Sequence, residues 1–256
     1  MMAAAADLWH LFVRLVRANL RMPVFVVISI VQPVVWVLLF GQLFRAVTAL
    51  PGFGASSYVQ FLAPGIAIMT ALFGAAYSGM GMLADIDRGV LDRLLATPVD
   101  RGALIAARIL YSAAQVAVQA CIILLVAAAI GARPHGGALG VALVLLAAAL
   151  LGAAFAAFSN ALALLTRRQE LVIAAMNFVM LPSTFLSSMM MSGNLMPSWI
   201  RSAALFNPVN WAVVAARGSF EGDWHQLPRH LGLLAAFALA AAWLAGLSFE
   251  RYRRAG

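Results

Sequence analysis

Eight of the chain's charged residues crowd into one short stretch, DIDRGVLDRLLATPVDRGALIAAR at residues 85–108, while apolar sequence runs away from it on both sides. The charges balance: Asp85, Asp87, Asp92 and Asp100 stand against Arg88, Arg93, Arg101 and Arg108. The chemistry open to such a set is recognition. Arg88 and Asp92 are four apart, as are Gly89 and Arg93, while Val90, Leu91, Leu94 and Leu95 supply apolar surface. This spacing predicts a short amphipathic helix from about Asp87 to Ala96, ended by Thr97 and Pro98. A short helix without net charge is a poor lipid anchor, because anionic headgroups reward positive charge. The stretch reads as a docking piece for another protein, with an ordinary solvated loop helix as the alternative.

Other chemistries find little support. Every one of the 17 basic residues is arginine, so a phosphate-binding loop of the G-x-x-x-x-G-K-[ST] kind cannot form. The one cysteine, Cys121, sits mid-run in AVQACIILLVAAAI and offers neither an intrachain disulfide nor a thiolate cluster for a metal. The four histidines, at 10, 135, 225 and 230, lie at edges or in loops, and no Ser/His/Asp or paired-carboxylate arrangement stands out. No ionisable residue lies well inside an apolar run; the nearest are boundary residues such as Asp85, Arg167, His230 and Glu250. Ion- and proton-coupled carriers place such groups within the membrane, so a proton-driven pump is disfavoured. Gln115, Gln119, Asn160 and Asn177 are polar and mid-run, a placement that more often joins helices than binds cargo.

The elements that must carry these residues are membrane helices. With 64% hydrophobic and 10% charged residues and a mean hydropathy of +0.95, the chain has more apolar surface than a water-soluble globule could hide. Runs of about 20 apolar residues predict six spans, at 24–44, 59–83, 109–131, 138–165, 171–191 and 230–249. The net charge of +8 is spread over the ends of these runs rather than along one water-facing stripe, which argues for topology over nucleic-acid binding. With the N-terminus inside, the inner segments hold 12 arginines in 60 residues and the outer ones five in 58, namely Arg45, Arg133, Arg201, Arg217 and Arg229. Both termini are therefore expected in the cytoplasm, and the charged stretch with them. The first 23 residues lack the apolar core and cleavage site of a signal peptide, so the first span is expected to remain in the mature protein.

Before that span, Asp7, His10, Arg14, Arg17 and Arg21 recur at spacings of 3, 4, 3 and 4, opposite Leu8, Trp9, Leu11, Phe12, Leu15 and Val16. This predicts an amphipathic helix in the inner membrane surface, stopped by Pro23. Gln32 and Pro33 predict a kink in the first span, with a substrate contact at Gln32 as the lesser alternative. Residues 192–229 are too apolar for a free loop and too broken, by Pro197 and by Asn207 and Pro208, to span. Two half-depth helices joined near Phe206 and Asn207 are expected there, dipping into the outer leaflet, with Trp199 and Trp211 suited to an interface.

This pattern resembles the type-2 ABC exporter permeases, the membrane-domain family that includes drug-resistance and nodulation-factor export subunits. The resemblance covers nearly the whole chain, through QPVVWVLLFG, FLAPGIAIM and LMPSWIRSAALFNPVNW. Its most specific part is an acidic residue and arginine, a glycine, spaced leucines and then Thr-Pro, standing here as Asp87, Arg88, Gly89, Leu91, Leu94, Leu95, Thr97 and Pro98. Aspartate replaces the commoner glutamate. The resemblance implies an all-α permease domain over residues 1–256 in the bacterial plasma membrane. It makes the 87–98 helix, with Asp92 and Arg93, the coupling helix seated in a separate ATPase subunit. This chain would then bind no cofactor, ATP and magnesium belonging to the partner. Two permeases would work with two ATPase subunits, spans one and five facing the second permease, and Pro197, Trp199, Asn207 and Pro208 would lie in the segment that caps the pathway outside. The cargo implied is a hydrophobic drug or lipid-like amphiphile, with a lipid-linked glycan as the alternative. Outside the family, the rivals are an ATP-independent carrier, a membrane enzyme and a scaffold.

Overall fold

The computed structural model describes residues 2–21, 23–43, 57–97, 100–189 and 195–254, and every regular element among them is an α-helix. In order these are α1 (Met2–Leu20), α2 (Pro23–Leu43), α3 (Tyr58–Ala76), α4 (Ser78–Asp87), α5 (Val90–Leu95), α6 (Arg101–Ala129), α7 (Gly137–Thr166), α8 (Gln169–Phe185), α9 (Ser198–Ala204), α10 (Pro208–Glu221) and α11 (Leu227–Arg254). Only helices satisfy the backbone within one apolar segment, which is why the long runs take this form.

At the centre stands α3, buried without a break from Tyr58 to Leu72 and packed against α2, α6, α7 and α10. It runs into α4 through a single non-helical residue, Tyr77, so the most enclosed helix leads directly to the charged stretch. The alanine-rich α7 lies between α3, α6, α10 and α11, where its small side chains permit close backbone approach. At one close approach the Gly79 amide donates to Ser159 Oγ at 3.0 Å. A Cβ at Gly79 would lie 2.3 Å from the Ser159 carbonyl oxygen, so no larger residue fits there.

Four stretches are long and apolar enough to cross a membrane: Tyr58–Asp87, Gly102–Ala129, Gly137–Thr166 and Leu227–Tyr252. They stand where four of the six expected spans lie. The stretch expected as the first span is the helix α2, continuous through Pro33, whose apolar part at Val27–Leu43 is shorter than those four. The fifth, expected at 171–191, ends at Phe185 as a helix of 17 residues, about 26 Å long at the usual rise. Its continuation is stopped from outside. Asn207 Nδ2 takes the Ser183 and Leu186 carbonyls at 2.7 and 2.9 Å, and Asn210 Oδ1 takes the Ser188 amide at 2.9 Å. In the other direction, α6 begins eight residues before the expected 109, because Asp100 caps it by accepting the Ala103 amide at 2.9 Å. Arg108 is thereby drawn inside the helix.

Candidate functional site

The charged stretch divides into two parts with different fates. The helix expected over 87–96 is split: Asp87 closes α4, Arg88 and Gly89 turn, and α5 holds only Val90–Leu95. Gly89 makes the turn with φ +63°, in the left-handed region that a side chain disfavours. On α5, Leu91 is buried and Leu94 half-buried, while Asp87, Arg88, Asp92 and Arg93 stand exposed. Neither Arg88 with Asp92 nor any of these four with another described residue forms an ion pair. Thr97 Oγ1 closes the helix by donating to the Leu94 carbonyl at 2.6 Å. Pro98 lies outside the described residues, as does the side chain of Leu95.

The flanking charges turn inward. The Asp85 carboxylate at the end of α4 accepts from Arg14 on α1 at 3.2 Å and from Arg108 on α6. Asp100 ties the same helices a second time, its amide donating to Asp7 Oδ2 at 3.1 Å. Two members of the expected N-terminal polar stripe therefore belong to the fold: α1 lies along α6, with Leu11 buried and Phe12 edge-on to Tyr111. Two arginines against one carboxylate leave this cluster with one surplus positive charge.

Beside it opens a cavity of about 660 Å³ between α1, α2, α3, α4 and α6. Its walls are largely apolar, including Trp36, Met69 and Phe73. The face of α6 that lines it carries Arg108, Ser112, Gln115 and Gln119 at spacings of 4, 3 and 4, one stripe of a helix. Of the mid-run amides, three join helices: Gln119 Nε2 donates to Ser29 Oγ at 3.1 Å, Asn160 to Ser78 Oγ at 2.9 Å, and Asn177 accepts from Tyr77 at 2.8 Å. Gln115 and Gln32 instead line the cavity.

The opposite end of the bundle holds a second polar group. The expected pair of short helices is present as α9 and α10, joined at Leu205–Asn207. Asn207 caps α10 by accepting the Val209 amide at 2.9 Å, Pro208 is its first residue, Pro197 precedes α9, and Trp199 is exposed. Arg217 on α10, which sequence placed in the last outer segment, reaches inward to the carbonyls of Ser188 and Met189 at 3.0 and 3.3 Å. Its guanidinium lies 3.7 Å from the centre of the Phe61 ring. Burial pushes its pKa down to about 10, opposed by the nearby Glu221, so it remains cationic at neutral pH. Gln60 completes the group, donating to Glu221 at 3.1 Å and exchanging two 2.7 Å bonds with the Arg133 backbone, while His135 sits 3.2 Å from Glu221. The signal for Arg217 was available: Asn210, Val214, Arg217 and Glu221 follow helical spacing once Asn207 and Pro208 start a helix.

The model of the family described as ABC-2 type transporter matches residues 6–220. Among curated proteins, the daunorubicin resistance ABC transporter permease protein DrrB1 of Streptomyces coeruleorubidus is 27% identical over 220 residues, 86% of this chain and 76% of that protein. The putative transport permease ycf38 of Cyanophora paradoxa is 29% identical over 213 residues, 82% of this chain and 73% of that one. The probable doxorubicin resistance ABC transporter permease protein DrrC of Mycobacterium tuberculosis is 28% identical over 193 residues, covering 75% and 67% respectively.

Proposed function

We propose that this chain, which belongs to the ABC-2 type transporter family, is the membrane permease of an ATP-driven exporter that moves hydrophobic drugs or lipid-like amphiphiles out of a bacterial cell. In this reading residues 1–256 form one permease domain with six spans, α2 and α8 joining the four longer stretches, and both termini in the cytoplasm. ATP and magnesium are bound by a separate ATPase subunit, since a chain without lysine cannot supply the lysine of a phosphate-binding loop. The drug-resistance names of two relatives support the cargo class.

The observation that carries the reading is the exposure of Asp87, Arg88, Asp92 and Arg93 on and beside α5 with no ion-pair partner among the described residues. Four such charges around a buried Leu91 suit a partner surface that supplies the counter-charges. The path inward is mechanical. A displacement of α5 reaches α3 through α4 and the single residue Tyr77, and the Asp85 cluster makes α1 and α6 follow it. Alternating access then needs two arrangements that nucleotide binding biases differently. The apolar side chains that α2 and α8 leave uncovered, Leu39, Leu43, Phe178 and Phe185 among them, suit a second permease copy. On the outer side α9 and α10 would form the half-depth segment that caps the pathway, turning at Phe206 and Asn207.

The test is co-purification of the tagged chain from native membranes, with and without Arg88→Glu plus Arg93→Glu, followed by ATPase assay of the eluate. An ATPase subunit should accompany the unaltered chain and be lost with the double variant, while membrane insertion is unchanged. Failure of any ATPase to accompany the unaltered chain overturns the reading.

A further inference from the structure

The cavity between α1, α2, α3, α4 and α6 carries the charge of its lining at one end, and that placement selects a ligand. At the end near α5 its wall includes Arg108, whose side chain is only 11% exposed. A guanidinium offers five N–H donors, and the hydrogen bonding of Arg108 goes to Asp85 alone, an acceptor it shares with Arg14. One turn along α6, Ser112 is 3% exposed and lines the same cavity. Helical hydroxyls elsewhere in the chain turn back on their own helix, as Thr70 does to the Ile66 carbonyl at 2.8 Å and Ser248 to Leu244 at 2.9 Å. Ser112 makes no such bond and has no other partner among the described residues. Gln115, one turn further, is likewise without a partner. Ser112 is a buried polar group left unmatched, which costs free energy comparable to a lost hydrogen bond, and on the same stripe Arg108, held by Asp85, keeps donors to spare while Gln115 is half-buried, so the stripe calls for an occupant with acceptors. Beyond them Ile28, Trp36, Met69 and Phe73 supply apolar wall beside uncharged polar side chains such as Gln32 and Gln119, and no further charge lines the cavity.

We propose that this cavity binds a single-chain amphiphile with an anionic head. The head lies at Arg108, Ser112 and Gln115, where the surplus positive charge of the Arg14, Asp85 and Arg108 cluster meets it, and the apolar body extends past Trp36 and Phe73. The size agrees: about 660 Å³ falls among sites for drug-sized ligands, of roughly 300–1,000 Å³. From Arg108 to Gln119 the lined face of α6 runs about 16 Å, enough for a head and much of one chain. Entry is from the adjoining membrane leaflet, since α1 and α2 form one wall and α2 presents exposed Ile28 and Val31. The site is complete within one chain and stands whether or not an ATPase subunit binds α5.

The full chain, in phosphatidylcholine nanodiscs without nucleotide, is irradiated with a diazirine-bearing oleate, and labelled peptides are mapped by mass spectrometry. Labelling should be saturable and concentrated on residues 28–36, 69–81 and 108–119. Unlabelled oleate should compete at least tenfold better than oleyl alcohol. Ser112→Phe should remove the saturable labelling by filling the cavity, and Arg108→Gln should abolish the preference for oleate over the alcohol. Because Arg108 also holds the fold, Gln115→Leu serves as a second variant, expected to weaken oleate competition by about threefold to tenfold with thermal stability unchanged. Labelling that does not saturate and falls equally on exposed side chains outside those segments, Leu125, Leu139, Leu239 and Trp243, overturns the proposal. So does equal competition by oleate and oleyl alcohol, which would leave the polar stripe to water.

Discussion

The two ends of the long α3–α4 span treat charge in opposite ways. At one end Arg88 and Arg93 stand in the open with no partner among the described residues; at the other Arg217 is drawn under the surface, stacked on Phe61 and bonded to the Ser188 and Met189 carbonyls. Both are arginines between expected spans by sequence, yet one set stands free of the chain's own described charges and the other organises the chain itself. The difference lies in what each helix can reach. Six-residue α5 projects beyond the bundle, whereas fourteen-residue α10 packs along α7, α11 and α3 and carries its polar face to the waiting carbonyls of a helix that ends early. Charge at the first end should therefore matter to binding and at the second to folding.

The largest effect is expected at Arg217. Arg217→Ala strands two carbonyl groups and removes the cation beside Glu221, and charge-assisted hydrogen bonds of this kind are worth about 1.5–3 kcal/mol each. A loss of about 3 kcal/mol is expected, read as a lower midpoint in thermal unfolding of the detergent-solubilised chain, with Arg217→Lys recovering part of it. A loss below about 1 kcal/mol would mean that the carbonyls find water and that the two ends do not differ. Next comes Asp85→Asn, which leaves Arg14 and Arg108 facing each other without a carboxylate. Arg14 is 39% exposed and its share is screened, so the cost falls mainly on the nearly buried Arg108, about 2 kcal/mol in all. Proteolysis should then cut the α1–α2 junction faster, since α1 has lost one of its polar ties to the bundle and keeps that of Asp7 to Asp100.

How much of this was legible in the sequence follows from which contacts set each feature. The spans at α3–α4, α6, α7 and α11 and the paired helices α9 and α10 rest on local signals, hydrophobic run length and Asn-Pro or Pro-Ser starts, and are found where expected. The early end of α8 was not legible, because Asn207 and Asn210, more than twenty residues later, take the groups that would have continued the helix. The balanced charges of residues 85–108 read as one surface; that Asp85 and Arg108 face inward depends on Arg14, seventy-one residues before Asp85. The cavity was least legible of all. Arg108, Ser112, Gln115 and Gln119 form a stripe only if α6 begins at Arg101, and the hydropathy run starts eight residues later.

A smaller effect separates backbone from surface at α5 itself. Gly89 adopts φ +63°, and a Cβ placed there would meet nothing within 4 Å, so Gly89→Ala should cost only the left-handed conformation, about 1 kcal/mol. Gly89→Asn, which tolerates that conformation, should cost less; equal losses would show that something other than φ fixes the residue.

The smallest stability change is expected where the functional change is complete. Arg88→Glu with Arg93→Glu reverses two exposed charges that the described chain pairs with nothing, and such surface substitutions lie within about 0.5 kcal/mol of neutral. The thermal midpoint should stay within about 2 °C of the parent while the co-purifying ATPase is lost. If the midpoint instead falls as far as with Asp85→Asn, the arginines of α5 are supporting the fold, and the contrast between the two ends reduces to one of exposure. An unchanged midpoint with ATPase still bound would place the docking energy on Leu91, Leu94 and the apolar flank of α5. Holding stability constant is what allows this variant to be read as a binding variant, because a destabilised permease would lose its partner for reasons unrelated to α5.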